Sequence, residues 1–421
     1  MKLNLKNKLR FRLSAVWAAR IAIGITFIIS GWAKAIDPWG FIYKVEEYLA
    51  VWNFDVPREI TLTGCVALAV VEFSTGAHIA TGCFKRLAVW VAAAMMFFML
   101  PLTLYIALAS PVSDCGCFGD FLILDNWTTF WKNVVISALI VYLIYRNRVV
   151  KGLFPAAIQW LVATVSIAFP LFLAIIGYNI QPIMDFRPFE ISTQIFRPDG
   201  QEIEEDDNLL FIYEKDGLSK SFKLDQLPDS TWTFISSENL SDDSRQIAVY
   251  DENGDDVSAD LAISPKDCLY LLIIDPGIQF LSRAHFINDL ADYLKSRNVD
   301  MVAVVAGNDQ AVENWKELVR PRFPVYYAED TSLKELARGD AAVVYTKEGI
   351  IAWKRTLASL DVDLTRDSSG NTLSNISAID DGRLHAILWG LYLAAMIIIY
   401  FLGLSPKILR LAMTRNSIKN S

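Results

Sequence analysis

The sequence predicts a membrane α-helical protein: a four-helix bundle, two further transmembrane helices and a soluble α/β domain outside the bilayer. Three observations carry this expectation. Of the 421 residues, 53% are hydrophobic and only 20% charged, and the mean hydropathy is +0.31. Six stretches are long and apolar enough to be read against the roughly 20 residues that a spanning helix needs, the fourth being the shortest. The charge is also split along the chain: residues 179–383 hold 20 Lys+Arg against 38 Asp+Glu, a net of −18, and the remainder is +10. This composition excludes a disordered chain and a basic nucleic-acid-binding protein.

The spans are 15–35, 59–81, 87–109, 131–146, 156–178 and 384–404. Trp131, Lys132 and Asn133 crowd the start of the fourth. Orientation follows from Lys and Arg in short loops, which favour the cytoplasmic side. Residues 1–14 carry Lys2, Lys6, Lys8, Arg10 and Arg12. Every second connection after them is basic too: Lys85 and Arg86, then Arg146, Arg148 and Lys151, then the tail 405–421 with Lys407, Arg410, Arg415 and Lys419. The alternate loops, 36–58 and 110–130, hold only Lys44 and Arg58. The expectation is an inner-membrane protein in contact with lipid, both termini cytoplasmic and 179–383 periplasmic. A signal peptide ending at Ala33-Lys34-Ala35 is the rival reading of the N-terminus. Its apolar stretch is longer than a usual h-region, and removing it would break the charge alternation.

Ionisable groups within spans are costly and usually functional. Glu72 falls near mid-membrane, and counting depth along antiparallel helices sets it level with Gly24. Arg20 lies about 6 Å deeper on that count, within side-chain reach. A Glu72–Arg20 pair is therefore expected, either functional or simply joining two helices. Lys34, about 15 Å shallower, is expected to snorkel outward, and His78 reads as interfacial.

The loop between the third and fourth spans contains Pro111-Val-Ser-Asp-Cys-Gly-Cys-Phe-Gly-Asp120. A disulfide between Cys115 and Cys117 requires a sharp backbone fold, which Gly116 permits. The small ring would be strained, and strained exposed disulfides exchange readily. The alternatives are a static turn bridge or a metal-ligand pair. Two thiolates make only half a tetrahedral zinc site and no His lies nearby, so no metal is expected, and the sequence calls for no cofactor. Strain predicts a midpoint above about −250 mV, against below about −300 mV for an ordinary structural bridge. Asp114 and Asp120 would raise a thiol's pKa unless a cation such as Lys44 or Lys132 approaches. Cys65, seven residues before Glu72, shares its helix face; it is a candidate relay to the loop, or plain packing. Cys83 faces the reducing cytoplasm.

Within 179–265, strand-like runs at 209–213, 221–224, 232–235 and 247–250 are separated by acidic turns. Glu204-Glu-Asp-Asp207 reads as a solvated loop rather than a calcium site. Residues 266–383 alternate strands (269–274, 301–305, 325–327) with helices (282–296, 310–319, 332–338). A hairpin, 341–345 with 350–353, closes the pattern, which is that of an α/β domain.

Four stretches carry a resemblance to a known family: Ile28-Ile-Ser-Gly-Trp-Ala-Lys-Ala-Ile-Asp-Pro38, Tyr43-Lys-Val-Glu-Glu-Tyr-Leu49, Glu72-Phe-Ser-Thr-Gly76 and Cys115-Gly-Cys-Phe-Gly119. Over residues 15–146 the chain resembles the DoxX-like family, most closely its methylamine-utilisation MauE branch. The resemblance implies a four-helix bundle and a part in maturing a disulfide-rich periplasmic enzyme subunit. Such bundles are similar to vitamin K epoxide reductase and to disulfide-bond-forming membrane proteins. Here no C-x-x-C lies in the bundle, so quinone-linked catalysis is not implied. Phe323-Pro-Val325 and Lys347-Glu-Gly-Ile-Ile-Ala-Trp-Lys354 resemble a TlpA-type thioredoxin-like domain, and the whole arrangement resembles DoxX-like proteins of Bacteroidetes. The C-x-x-C of thioredoxin-like domains would stand at Asp275-Pro-Gly-Ile-Gln-Phe280 and their cis-Pro at Gly339-Asp340-Ala341. Cys268 lies before the strand and cannot serve, so this domain is expected to bind rather than react. The implied function is disulfide exchange with a periplasmic client protein through Cys115 and Cys117. The alternative is a non-catalytic scaffold that binds its partner through the thioredoxin-like domain.

Overall fold

The computed structural model describes residues 2–112, 114–146, 150–196, 209–215, 218–222, 233–239, 247–262, 266–276, 282–307, 309–361 and 381–419. The chain forms two compact units, Met1–Asp185 with Ile379–Ser421, and Phe186–Ala378.

The first unit is helical: α1 (Lys2–Ile36), α2 (Pro38–Val51), α3 (Arg58–Thr81), α4 (Lys85–Ala109), α5 (Asn126–Arg146), α6 (Gln159–Asn179) and α10 (Asp381–Lys419). Six segments are long and apolar enough to cross a membrane: Arg12–Ile36, Arg58–Thr81, Lys85–Ala109, Asn126–Arg146, Ala156–Asn179 and Arg383–Leu404. This is a multi-pass membrane protein. The fourth span starts earlier than its hydropathy suggests because Asp125 caps it. Its Oδ1 accepts from the Trp127 and Thr128 amides at 2.8 and 3.1 Å, satisfying first-turn N–H groups. Between the first two spans the chain folds into α2, an element the hydropathy reading did not contain. Pro38 opens it, and Asp37 accepts from the Gly40 amide at 2.9 Å.

The α1–α3 contact sets the bundle's register. A Cβ on Gly24 would lie 2.7 Å from the Ala80 Cβ, and one on Gly31 2.6 Å from the Ala69 carbonyl and against the Phe73 amide. A Cβ on Gly76 would lie 2.7 Å from the Gly24 carbonyl. In lipid, where the surroundings are as apolar as leucine, small residues let helices associate by close backbone packing. Ile23, Phe27, Ala92, Ile140 and Leu143 fill the core beside this seam. Leu87, Trp90, Phe97, Phe98 and Phe401 are exposed, as lipid-facing side chains are. The last span docks through aromatic groups: the Trp389 and Tyr392 rings sit 5.0 and 4.7 Å from Phe169.

The second unit contains a mixed five-stranded sheet, ordered β6-β5-β4-β7-β8. Its elements are β4 (Cys268–Ile273), α7 (Ala284–Ser296), β5 (Asp300–Val305), α8 (Asp309–Val319), β6 (Val325–Tyr327), α9 (Asp330–Leu336), β7 (Ala341–Lys347) and β8 (Ile350–Thr356). β4, β5 and β6 run parallel; β7 is antiparallel to both β4 and β8. Alternation in β4 divides the core into two layers. Leu269, Leu271 and Ile273 pack with α7 and α8 through Leu290, Leu294 and Trp315. Tyr270, Leu272 and Ile274 pack with Leu333 and Leu336 of α9. This is a thioredoxin-like α/β arrangement. A separate antiparallel sheet, ordered β2-β1-β3, joins β1 (Leu209–Lys215), β2 (Leu218–Phe222) and β3 (Thr233–Asn239). The fourth strand-like run behaves differently. Ile247 and Val249 pack against the β4 layer, and Tyr250 makes isolated bridges to Asp256 and Tyr327 without joining a strand. Cys268 is the first residue of β4 rather than a residue before it, and burial pushes its thiol up to about 12. Glu204–Asp207 and residues 277–280 lie outside the described residues.

Candidate functional site

The site grows from the α4–α5 loop. The sulfurs of Cys115 and Cys117 lie 2.7 Å apart. The turn between them needs glycine twice over. Gly116 has φ +66°, and a Cβ there would meet Lys44 Cγ at 2.7 Å. On one side, α2 holds the loop. Lys44 Nζ sits 2.7 Å from Asp114 Oδ1, and the other Asp114 oxygen accepts from the Gly116 amide at 2.7 Å. The Tyr48 hydroxyl donates to the Asp114 carbonyl at 3.3 Å.

On the other side stand α1 and α3. The Lys34 ammonium donates to Ser30 Oγ at 2.7 Å, to Glu72 Oε2 at 2.8 Å and to the Cys117 carbonyl at 2.7 Å. An ammonium has three donors, and all three are used. Ser30 Oγ is 2.8 Å from Glu72 Oε2 and 2.7 Å from the Cys117 carbonyl; its single proton goes to one or the other. The side chains of Lys34 and Glu72 are only 4% and 8% exposed. Breaking an ion pair this dry strands a charge, which is why such pairs are intolerant of single substitutions.

This geometry corrects the expected Glu72–Arg20 pair. Gly31 abuts Ala69 and Phe73, so Glu72 meets Ser30 and Lys34 instead of the level of Gly24. Depth counting assumed equal span ends, whereas the glycine seam offsets the two helices by roughly 9 Å. Lys34 therefore turns inward and does not snorkel. Arg20 is fully buried elsewhere, its Nη2 donating to the Val150 carbonyl at 3.3 Å and its guanidinium 5.0 Å from the Trp17 ring. Cys65 packs with Trp39, Phe41 and Ile42, whereas Cys115 packs with Ile106 and Val112. The structure thus does not bring the candidate relay into the cluster of the pair. Cys83 is buried beside Phe154 and Val162, and the His78 ring lies edge-on to Phe84 at 5.5 Å.

The two thiols differ. The contact with Cys117, and then burial, holds the Cys115 thiol well above its ordinary range. The same contact holds Cys117 below its ordinary value, aided by the Lys132 and Lys34 ammonium groups. Behind Cys117 lies a cavity of about 40 Å³ that Ser30, Glu72, Met99 and Lys132 help to line. Lys132 Nζ sits 4.1 Å above the Phe118 ring. Sequence reasoning missed Ser30 and the inward turn of Lys34. The signal was present in the seven-residue spacing of Gly24 and Gly31 against Ala69 and Gly76, which fixes register independently of depth.

No curated protein matches the chain. Among solved structures, a secreted Mycobacterium tuberculosis disulfide oxidoreductase homologous to E. coli DsbE is similar to it at 13% identity. The match covers 30% of this chain and 94% of that one, with a TM-score of 0.23. Residues 208–240, which hold β1 to β3, match a domain of unknown function, DUF8463. Residues 12–146, which supply every side chain of the site around Cys115 and Cys117, match the family described as methylamine utilisation protein MauE.

Proposed function

We propose that this protein is an inner-membrane accessory that exchanges disulfides with a periplasmic client through Cys115 and Cys117. The observation that carries the reading is the pair itself: two sulfurs 2.7 Å apart on a loop clamped from α2 and from α1. In the exchange, the thiolate of one cysteine attacks a client disulfide, forming a mixed S–S bond and releasing a client thiolate that takes a proton. The second cysteine loses its proton and attacks the mixed bond, closing Cys115–Cys117 and releasing the other client sulfur. Two electrons pass from pair to client, and the reverse sequence oxidises a client dithiol. Two candidate crossings, α5 and α6, separate the loop from the second unit, which supports a reading with both on one side of the bilayer. The charge alternation supports the periplasm as that side.

Replacing either Cys115 or Cys117 by Ser should accumulate mixed disulfides with the client in membranes. Redox titration with a thiol-labelling mass shift should give a midpoint above about −250 mV; one below about −300 mV would assign the pair to a static brace. One observation favours the scaffold reading for the second unit. Cys268 is the sole cysteine in 186–378, and it is buried in β4, so that unit serves the client by binding it.

A further inference from the structure

We infer that Lys132 is the counter-ion that makes Cys117 the attacking thiol, with Cys115 as the resolving one; this rests on the exchange reading above. Three lysines approach the loop, and two are committed. Lys44 is held by Asp114 at 2.7 Å and Glu47 at 2.9 Å. Lys34 spends its three donors on Ser30, Glu72 and the Cys117 carbonyl. Lys132 differs. Among the described residues its ammonium makes no ion pair or hydrogen bond, and its one contact is the Phe118 ring at 4.1 Å. It lines the same 40 Å³ cavity as Cys117 and acts electrostatically on that thiol, in a small space where Coulomb attraction is less screened than in bulk water.

The charged and titratable groups around Cys117 come from every neighbouring element. They are Lys34 on α1, Tyr48 on α2, Glu72 on α3 and Lys132 on α5, with Asp114 and Cys115 in the loop; α4 contributes methionines to the cavity wall. Asp114 is neutralised by Lys44 and Glu72 by Lys34. The uncompensated charge is that of Lys132, and it favours the thiolate. In the exchange step Cys117 then supplies the attacking electron pair, and Cys115, which keeps its proton, gives it up only when it closes on the mixed disulfide.

The test is alkylation of the reduced full-length protein by iodoacetamide across a pH series, each cysteine read by mass spectrometry. Thiolate grows as pH rises through the thiol's pKa, so Cys117 should be modified first, with a midpoint below the ordinary ~8.5. Lys132→Met should raise that midpoint by about one pH unit and slow Cys117 modification about tenfold at pH 7. Lys132→Arg should restore it, and the Cys115 profile should not move. An unchanged Cys117 profile in Lys132→Met, or Cys115 reacting first, overturns the assignment. Should Lys132→Met not accumulate, Lys132→Arg decides alone: a retained low midpoint supports the counter-ion role and a lost one removes it. Alkylation reads the thiol and not the client. A protein that passes this test and traps no mixed disulfide would refute the exchange reading while leaving the Lys132 assignment intact.

Discussion

Gly116 shows how much one residue can decide at this site. Its φ of +66° lies where L side chains are strained, and a methyl there would strike Lys44. Gly116→Ala should cost about 1–3 kcal/mol and loosen the Lys44–Asp114 bridge. It should appear as a lowered Tm of the purified protein and faster alkylation of Cys115. The buried ion pair yields a second expectation. Glu72→Gln leaves the Lys34 ammonium without its carboxylate, a loss of roughly 3–5 kcal/mol for a buried pair, so membrane abundance should fall. Adding Lys34→Met should recover part of it, whereas adding Arg20→Gln should not; recovery with Arg20 instead would refute the pairing. At this scale the sequence was legible where chemistry is local. Cys115-Gly116-Cys117 announces itself, because the spacing and the glycine are contiguous. Ser30, Lys34 and Glu72 were visible as polar groups in apolar spans, but their partnership depends on how two helices slide, which no single span records.

That sliding belongs to the elements. The α1–α3 contact is backbone against backbone at Gly24, Gly31 and Gly76. Gly31→Val should force the helices apart and cost more than the 1–3 kcal/mol typical of overpacking, with loss of Tm and of the Lys34–Glu72 pair. Gly64, on the same α3, has open space around its Cβ position. Gly64→Ala should be neutral or slightly stabilising, since a helix interior prefers alanine to glycine. Equal sensitivity at Gly31 and Gly64 would remove the seam from the account. The six spans were readable from hydropathy because bilayer thickness fixes their length. α2 was not readable that way: Trp39, Phe41 and Ile42 bury against Cys65, a role for apolar residues that hydropathy alone does not separate from a loop. In the second unit, the αβ alternation carried the five-stranded sheet. The run at 247–250 misled because an apolar segment covering a sheet face looks, residue by residue, like one more strand.

For the whole molecule, the charge alternation makes its own prediction. A reporter active only in the periplasm should be silent when fused after Asn420 and active when inserted near Gly254, in the acidic segment; the opposite pattern would invert the topology. The halves also differ in what their sequences can reveal. The membrane half declares its polar site through charges that lipid makes expensive, whereas the other half declares a fold through its alternating strands and helices.

The clamp on the Cys115–Cys117 loop has a consequence for how the chain can change over evolutionary time. Lys34 grips the main-chain carbonyl of Cys117 and not its sulfur. A grip on the main chain is blind to the side chain it holds. Serine at either cysteine position should leave the loop seated, so loss of thiol chemistry and loss of architecture are separable by mutation. By the same logic the frame can outlast its thiols: a chain that has lost both cysteines should keep the bundle intact.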